Sequence, residues 1–204
     1  LSRTCRVVQA PGVFVPTNWY VATNGNDAAD GASWTTAKLT IQAAIDLAED
    51  GHVVWVGPGD YTGGLVITNG IHLQSANEPF DTTIRGGSRC ITVTHTNAVV
   101  TGFTIIGGAG RGIEMPRDSA AWVENCRIVG NEGGIWGGNA RNCVVASNHI
   151  YASCSKCDAY ALGSAAAFCH LENCTVVGNS AIAKGNGDFT SASTFCGVTE
   201  FNCL

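Results

Sequence analysis

Ten cysteines are the most chemically versatile residues of this 204-residue chain. A thiol can form a disulfide, bind a metal or fill a core as a small apolar group. An even count this high favours an oxidising, extracellular setting, so most of the cysteines are expected to be oxidised. Their connectivity is left open by the sequence. The disulfide candidates are Cys90, Cys154, Cys157, Cys169 and Cys196.

Cys154 and Cys157 have the spacing of a metal half-site or of a redox motif. A zinc site would need a second such pair, which the sequence lacks at workable spacing, although Cys169 and His170 lie nearby. A redox motif would need a βαβ setting, which the flanking sequence does not supply. A loop pinned by a disulfide is therefore the favoured interpretation, with His170 as a surface histidine.

Charged groups of opposite sign cluster between residues 85 and 118. They are Arg85, Arg89, Arg111, Glu114, Arg117 and Asp118. On adjacent strands these groups would line one face, and Arg111, Arg117 and Asp118 are then the alternative catalytic candidates. Because exposed charge pairs are common and weak, an ordinary solvated face is the favoured interpretation.

The polar loop between residues 23 and 31 contains Asn24, Asp27 and Asp30, whose oxygen atoms make a weak candidate for a structural Ca²⁺ site. The loop does not match the EF-hand pattern, so no cofactor is expected apart from this ion. The net charge is −5 and no run of Lys or Arg occurs, which argues against nucleic acid. No apolar run approaches about 18 residues, so no membrane span is expected.

A repeated seven-residue pattern must position these groups. Copies begin at Asn125, Asn142 and Asn173, each with Cys second and Asn last, and a fourth begins at Asn202. A weaker copy spans 102–108. Recurrence near the length of a solenoid turn predicts an all-β parallel β-helix of about six or seven rungs, stacked about 4.8 Å apart.

Stacked rungs would place like residues above one another. Asparagine at the same bend of every rung is then expected to form a ladder of side-chain hydrogen bonds. The predicted ladder consists of Asn125, Asn142 and Asn173, continued by Asn202. The predicted cysteine column beside it consists of Cys126, Cys143, Cys174 and Cys203.

The sequence before the rungs divides into an arm and a cap. Pro11 and Pro16 favour an extended arm over residues 1–18, and the β-helix is predicted over 19–204. A helix is predicted over 40–50, because its apolar residues fall on one face and Gly51 ends it. This helix is expected to cover the open end of the first rung.

Four stretches together carry a family resemblance. They are Tyr20–Asp27, Ser33-Trp34, Thr40–Ile45 and Val53–Tyr61. These stretches resemble the N-terminal cap of secreted bacterial right-handed parallel β-helix proteins, the pectate-lyase-like superfamily. The resemblance covers about residues 20–63 and implies the fold, and the rungs extend it to the C-terminus.

The same superfamily contains polysaccharide lyases, glycoside hydrolases, adhesins and surface proteins, so the resemblance does not decide the activity. The acid pairs of hydrolases of this fold are missing, and only three lysines occur. We therefore expect a secreted or cell-surface structural protein rather than an enzyme. The alternatives are a polysaccharide lyase-like enzyme or a glycan-binding module on the same scaffold.

The N-terminal arm suggests how such a protein would assemble. Cys5, Arg6, Val7 and Val8 resemble the start of a rung, and Asn202-Cys203 opens a rung. Strand addition of one arm to the edge of the next molecule would build a head-to-tail extracellular filament. The expected partner is therefore a second copy of the chain, with surface glycans as a further possibility.

Overall fold

The computed structural model describes residues 17–77, 81–154, 159–185, 190–196, 199–201 and 203. Within these residues the strands coil into a parallel β-helix. Neighbouring strands of each sheet come from successive turns of the coil, and they pair in parallel. Two of the sheets contain six strands each, so six turns of the coil pass through them. This confirms the predicted fold class and rung number.

The strands are named in chain order. Sheet A contains β1 (Asn18–Val21), β2 (Val53–Val56), β5 (His72–Ser75), β8 (Val99–Thr101), β11 (Trp122–Glu124), β14 (Asn139–Arg141), β18 (His170–Glu172) and β22 (Thr199–Phe201). Sheet B contains β3 (Gly59–Thr62), β6 (Thr82–Arg85), β9 (Thr104–Ile106), β12 (Arg127–Val129), β15 (Val144–Ala146) and β19 (Thr175–Val177). Sheet C contains β4 (Leu65–Ile67), β7 (Arg89–Val93), β10 (Arg111–Glu114), β13 (Gly133–Trp136), β17 (Ala159–Ala167) and β21 (Thr190–Cys196). A fourth sheet pairs β16 (His149–Cys154) with β20 (Ser180–Gly185).

Columns of identical apolar residues fill the interior. Alternate residues of each strand point inward, and the register places the inward residue of one rung over that of the next. Two such columns are Ile84, Ile105 and Ile128 in sheet B, and Ile91, Ile113 and Ile135 in sheet C. Each of these side chains is at most 1% exposed. Burial of one such side chain contributes about 1.5–3 kcal/mol.

The cap helix α1 spans Ile41–Ile45, which is shorter than the predicted 40–50. The Thr40 side chain accepts a hydrogen bond from the Ala43 N–H and so begins the helix. Beyond Ile45 the chain tightens, because the N–H of Ala48 bonds to the carbonyl three residues earlier. Ala48 nevertheless remains buried, so the whole segment covers the first turn as expected. A short 3₁₀ helix, Trp34–Thr36, precedes it.

The cap also satisfies backbone groups at the edges of the first rung. The Gln42 side chain mimics a peptide unit: its Oε1 accepts from the Val66 N–H at 2.9 Å, and its Nε2 donates to the Val66 carbonyl at 3.2 Å. In sheet A, Lys38 exchanges backbone hydrogen bonds with the outer edge of β1. These contacts occupy groups that would otherwise pair with another chain. Asn18 lies in β1, although the prediction assigned it to the arm.

Left-handed corners join sheet A to sheet B. Asn125, Asn142 and Asn173 have φ angles of 50°, 53° and 51° at this corner, and Gly102 takes the same place one turn earlier with φ 82°. Asparagine and glycine tolerate this conformation better than other residues. This requirement explains the first position of the repeat.

The side chains at these corners do not form a continuous ladder. Asn173 Nδ2 donates to Asn142 Oδ1 at 2.7 Å, as a ladder requires. Asn125 Nδ2 instead donates to Thr101 Oγ1 at 3.4 Å, and no bond joins it to Asn142 in the part of the chain that is described. Asn202 lies outside the described residues.

A buried ladder runs along the inside, built from the last asparagine of each repeat. Asn148 Oδ1 accepts from both the backbone N–H and the Nδ2 of Asn131, at 3.1 and 3.0 Å. Asn179 Oδ1 accepts from the same two groups of Asn148, both at 2.9 Å. The remaining Nδ2 hydrogens donate to strand carbonyls, such as that of Ile128. The continuous ladder thus uses Asn131, Asn148 and Asn179, whereas the sequence expectation used the first asparagine.

We predict that Asn148→Ala lowers the free energy of unfolding by about 3–5 kcal/mol, because it removes the buried acceptor of the Asn131 N–H and Nδ2 groups and breaks the ladder to Asn179. Asn142→Ala is the matched control, since it removes the same amide from an exposed corner. Its cost is about 1–2 kcal/mol, which reflects mainly the left-handed backbone. Urea unfolding of both variants measures the difference. Equal losses would contradict the buried ladder.

Candidate functional site

The outer face of sheet C carries a cluster of cationic and aromatic side chains. β7 and β10 contribute Arg89 and Arg111, whose backbones pair in register. Glu114 of β10 pairs in register with Trp136 of β13. Phe168 follows β17, and Arg117 lies in the loop after β10. The arginine–aromatic cluster consists of Arg89, Arg111, Glu114, Arg117, Trp136 and Phe168.

Two of the three arginines share one carboxylate oxygen. Arg89 Nε and Arg111 Nη1 donate to Oε2 of Glu114, at 2.5 and 2.8 Å. The Glu114 side chain is 26% exposed, so the pair is screened less than a surface ion pair. Glu114 is therefore held in place and neutralises one of the two charges.

The guanidinium groups stack on the aromatic rings. Arg111 lies 3.8 Å from the centroid of the Trp136 ring, and Arg117 lies 3.6 Å from that of Phe168. The two rings meet edge to face at 4.7 Å. Gly133 is the register partner of Arg111, and a Cβ there would lie 3.4 Å from Arg111 Cγ, which is an ordinary van der Waals distance. Cation–π contacts of this kind contribute about 0.5–2 kcal/mol each.

The cluster carries excess positive charge on an otherwise acidic chain. Three guanidinium groups and the Glu114 carboxylate leave an excess of two positive charges. The exposed Asp118 reduces this excess to one. Burial lowers the pKa of Arg111, Glu114 opposes this effect, and the charges of Arg89 and Arg117 lower the pKa further. Among the described residues, Arg117 has no carboxylate within ion-pair distance. Its N–H donors therefore remain available to an external anion.

A cavity of about 260 Å³ opens beside Arg117 and Phe168, at the corner between sheets C and A. Asp118, Ser119, Asn139 and His170 supply its polar lining. Asp118 has a left-handed backbone, with φ 52°. A larger groove of about 540 Å³ lies at the corner between sheets A and B, where Gln74, Thr101, Asn125, Arg127 and Asn142 contribute to its walls.

The structure brings together the alternative catalytic candidates Arg111, Arg117 and Asp118 on the sheet C side. The sequence did not indicate Trp136 and Phe168, which hold the two arginines in place. Trp136 is the last residue of β13, which follows the copy of the repeat that begins at Asn125. An alignment of successive rungs would therefore have placed it beside Glu114. Phe168 precedes β18 in a loop of variable length, and no sequence pattern predicted its position.

The calcium candidates are held by contacts within the protein. Asp27 accepts from the N–H groups of Leu39 and Thr40, and Asp30 accepts from the Ala32 N–H. At Asp27 desolvation acts to raise the pKa, but the hydrogen bonds from Thr40 and Leu39 outweigh it and the pKa is lowered. At Asp30 the Thr36 side chain lowers the pKa most, followed by the Ala32 N–H, against a smaller effect of desolvation. The Lys38 ammonium donates to the carbonyls of Asp27 and Ala29 at 2.9 and 2.6 Å, so a lysine cation occupies the centre of the loop. Asn24 is exposed, and no cluster of three His, Cys, Asp or Glu side chains that could hold a metal ion occurs in the described ranges.

Six of the ten cysteines are free thiols, which corrects the expectation that most are oxidised. Cys90, a disulfide candidate, is a buried thiol that donates to Asn131 Oδ1 at 3.5 Å. Cys169, Cys126, Cys143 and Cys174 are buried, and Cys203 is half-buried. Cys154 and Cys196 end β16 and β21, and Cys157 lies outside the described residues. The assembly residues Cys5, Arg6, Val7, Val8 and Asn202 also lie outside them.

Comparison with known proteins places the chain in context. The family model described as "Right handed beta helix region" matches residues 69–203. A "Cell surface glycoprotein" of Methanothermus fervidus is 33% identical over 93 residues, which is 45% of this chain and 15% of that protein. The chain thus spans about 15% of the length of this relative. In the described part of the chain, no helix is long and apolar enough to cross a membrane.

Solved structures share the fold at low sequence identity. A pectin methylesterase in complex with a hexasaccharide has a TM-score of 0.57 and 15% identity, with 85% of this chain and 71% of that chain covered. Pectin methylesterase from carrot has a TM-score of 0.57 and 12% identity, with 88% and 72% covered. Escherichia coli YbhC has a TM-score of 0.56 and 11% identity, with 98% and 76% covered. At these identities the likeness shows the fold alone.

We predict that Glu114→Gln destabilises the protein by about 1–2 kcal/mol at low salt, because it removes the carboxylate that bridges Arg89 and Arg111 beside the third guanidinium, Arg117. Added salt restores part of the loss, since it screens the repulsion among the arginines. Glu124→Gln is the control, because Glu124 pairs with the single Arg141 at 2.9 Å. Thermal unfolding at two salt concentrations measures both effects. Equal losses of stability in the two variants, with the same salt dependence, would contradict this role of Glu114.

Proposed function

This chain belongs to the right-handed β-helix family, and we propose that it is an extracellular or cell-surface module that binds an acidic saccharide. The arginine–aromatic cluster of sheet C is the proposed binding surface. The matched relative is named a cell surface glycoprotein, which supports a location outside the cell. A β-helix suits this role because its side faces are rigid and present side chains from successive rungs at a regular spacing.

The observation that carries the proposal is the environment of Arg117. Its guanidinium lies on Phe168 and 4.8 Å from the Trp136 centroid, without a carboxylate partner among the described residues. A guanidinium held flat on an aromatic ring can present its edge to a carboxylate in bidentate geometry. Trp136 and Phe168 are half-buried and each has a guanidinium group over its ring, so the Arg117 edge is the group that would meet a ligand. This edge matches the carboxylate of an acidic sugar.

The neighbouring cavity supports the same ligand class. Asn139 and His170 supply polar groups for sugar hydroxyls beside Phe168, within about 260 Å³. Asp118 lies in the same lining, so an acidic ligand would place its carboxylate toward Arg117 and its hydroxyls toward Asp118.

We predict that Arg117→Gln weakens binding of an acidic oligosaccharide, such as an oligogalacturonate, by about 10–100-fold, because one charge-assisted bidentate contact contributes about 1.5–3 kcal/mol. Arg85→Gln is the matched control, since Arg85 carries the same charge on sheet B and pairs with Asp60. Isothermal titration of both variants and of the unaltered chain measures the affinities, with a neutral oligosaccharide of equal length as the ligand control. Each titrated sample is then analysed for new reducing ends and unsaturated uronates, which reveals any turnover.

Two results would contradict the proposal. One is equal weakening by Arg117→Gln and Arg85→Gln, which would indicate binding by net charge alone. The other is the absence of a preference for the acidic over the neutral oligosaccharide. If the unaltered chain releases products and Arg117→Gln does not, the chain is an enzyme that acts at this cluster rather than a binding module.

Assembly of copies end to end is a second candidate function, favoured by the distribution of exposed apolar side chains. Within the described residues, the large hydrophobic residues that are exposed belong to the cap and first turn or to the fifth and sixth turns. They are Trp34, Leu39, Leu47 and Val66 at one end, and Tyr151, Val177 and Ile182 at the other. Contact between such ends would remove both sets from water.

We predict that deletion of residues 1–10 leaves a folded chain that no longer polymerises, because the proposed strand addition uses this segment. Sedimentation velocity and electron microscopy compare the deletion with the intact chain. Cys5→Ser is the control: it should polymerise, but without covalent links between subunits. An intact chain that stays monomeric at high concentration would end the assembly proposal.

A further inference from the structure

The groove at the corner between sheets A and B continues toward the cap. A second cavity of about 450 Å³ lies there, and Trp34, Pro58 and Asn77 contribute to its lining. Asn77 also lines the groove of about 540 Å³, so the two cavities adjoin along the same corner. Together they form one channel, the corner groove, which extends from Trp34 to Asn142.

The residue at the corner determines where this groove is deep. In each rung it directly follows a strand of sheet A, so the register stacks the corner residues about 4.8 Å apart. In chain order these residues are Ala22, Gly57, Ala76, Gly102, Asn125, Asn142 and Asn173. Short side chains at the first four corners leave room for the groove. At the asparagine corners the following residue is a buried cysteine that belongs to the core.

Trp34 forms the wall of the groove at the cap end. It is 48% exposed, whereas the other tryptophans of the chain are half-buried. The Tyr20 ring meets its indole edge to face at 4.9 Å, and a Cβ on Gly57 would lie 3.4 Å from its Cζ3. The indole is thus packed against the cap and the first turn, and it offers a rigid apolar surface to a ligand.

Side-chain amides supply the hydrogen-bonding groups of the groove. The half-buried Gln74 lines it, and within the described residues the Gln74 amide has no hydrogen-bond partner. Asn125 and Asn142 are exposed at the same wall. Arg127 is the only charged side chain among the described residues that line either cavity. Because an amide both donates and accepts, these groups match hydroxyl groups better than ions.

The backbone at the corner is already hydrogen-bonded between rungs. The N–H groups of Gly57, Ala76 and Asn125 donate to carbonyls of neighbouring rungs at 2.8, 2.8 and 3.1 Å. The groove also runs across the strands, since it follows the corners of successive rungs. A peptide therefore cannot add to it as a strand, and recognition depends on the side chains.

We infer that the corner groove binds a neutral, β-linked polysaccharide chain. The C–H face of one sugar ring packs on Trp34, and hydroxyls of the following rings exchange hydrogen bonds with Gln74, Asn125 and Asn142. The chain lies extended along the coil axis, because the four rung spacings from Gly57 to Asn142 span about 19 Å. This site is separate from the arginine–aromatic cluster, which lies on sheet C.

The test titrates the intact chain with cellohexaose, xylohexaose and acetylated chitohexaose, which are neutral and β-linked. We expect at least one of them to bind and to change the tryptophan fluorescence, because Trp34 is the exposed indole. Trp34→Ala should weaken this binding by about tenfold or more and remove the fluorescence change. Trp34→Tyr should retain most of the affinity, since it keeps a flat ring at the same place.

A second variant tests the amide wall. Gln74→Ala should weaken binding by about three- to tenfold, because it removes a hydrogen-bonding group. His72→Ala is its matched control, since His72 is exposed two residues earlier on β5 and does not line the groove. Leu47→Ala is the control for Trp34→Ala, because it removes an exposed apolar side chain elsewhere on the cap. Circular dichroism verifies the fold of each variant.

Arg117→Gln separates this site from the one on sheet C. Neutral oligosaccharides should bind Arg117→Gln as they bind the unaltered chain, and an acidic oligosaccharide should bind Trp34→Ala unchanged. Comparison of acidic with neutral ligands in Trp34→Ala therefore tests sheet C alone. The inference is overturned if none of the three oligosaccharides binds, or if Trp34→Ala binds as tightly as the unaltered chain. Equal losses in Gln74→Ala and His72→Ala, or loss of neutral binding in Arg117→Gln, would also overturn it.

Discussion

In-register stacking of parallel rungs is the constraint on which the rest of this structure depends. Each residue lies above its counterpart in the next rung, so a side chain must be compatible with a copy of itself about 4.8 Å away. Isoleucine meets this requirement by packing on isoleucine. Asparagine meets it in a different way, because its amide both donates and accepts. Asn148 can be fully buried only because Asn131 and Asn179 complete its hydrogen bonds.

The same stacking creates the surface chemistry. Arg89, Arg111 and Trp136 are far apart in sequence, yet the register of sheet C gathers them on one face. Side chains that point outward from successive rungs are solvated. They therefore do not have to pack on copies of themselves as the buried side chains do. Charges of like sign can therefore collect there when aromatic rings and one carboxylate offset their repulsion. The parallel register of sheet C thus brings most of the cluster together, and the loop that carries Arg117 adds the remaining guanidinium group.

The sequence predicted the coil well, because the constraint repeats. The copies that begin at Asn125, Asn142 and Asn173 were sufficient to predict the parallel rungs, the number of rungs and the alignment of the cysteines. The sequence did not show which of the two asparagines in each repeat forms the ladder, because both positions have the same residue type. Both the first and the last asparagine suit a bend, and only burial distinguishes the exposed Asn142 from the buried Asn148. The helix was predicted too long because its apolar spacing continues to Ala48 after the regular hydrogen bonds have ended at Ile45.

The cysteines and the binding cluster show a second limit. Ten cysteines indicated disulfides by count, but a stacked thiol such as Cys143 serves the core equally well as a small apolar group. Trp136 and Phe168 were missed because a non-repeating outward residue leaves no periodic signal. What an arginine contacts depends on loop lengths, as at Arg117, and these do not follow the repeat.

Hydrogen–deuterium exchange of the intact chain, with and without an acidic oligosaccharide, tests the central claim most directly. The proposed binding surface predicts that ligand slows exchange at residues 111–119, 133–138 and around 168, and leaves the corner between sheets A and B unchanged. Protection confined to the groove beside Asn125 and Asn142, or no protection anywhere, would contradict the assignment of sheet C as the binding face.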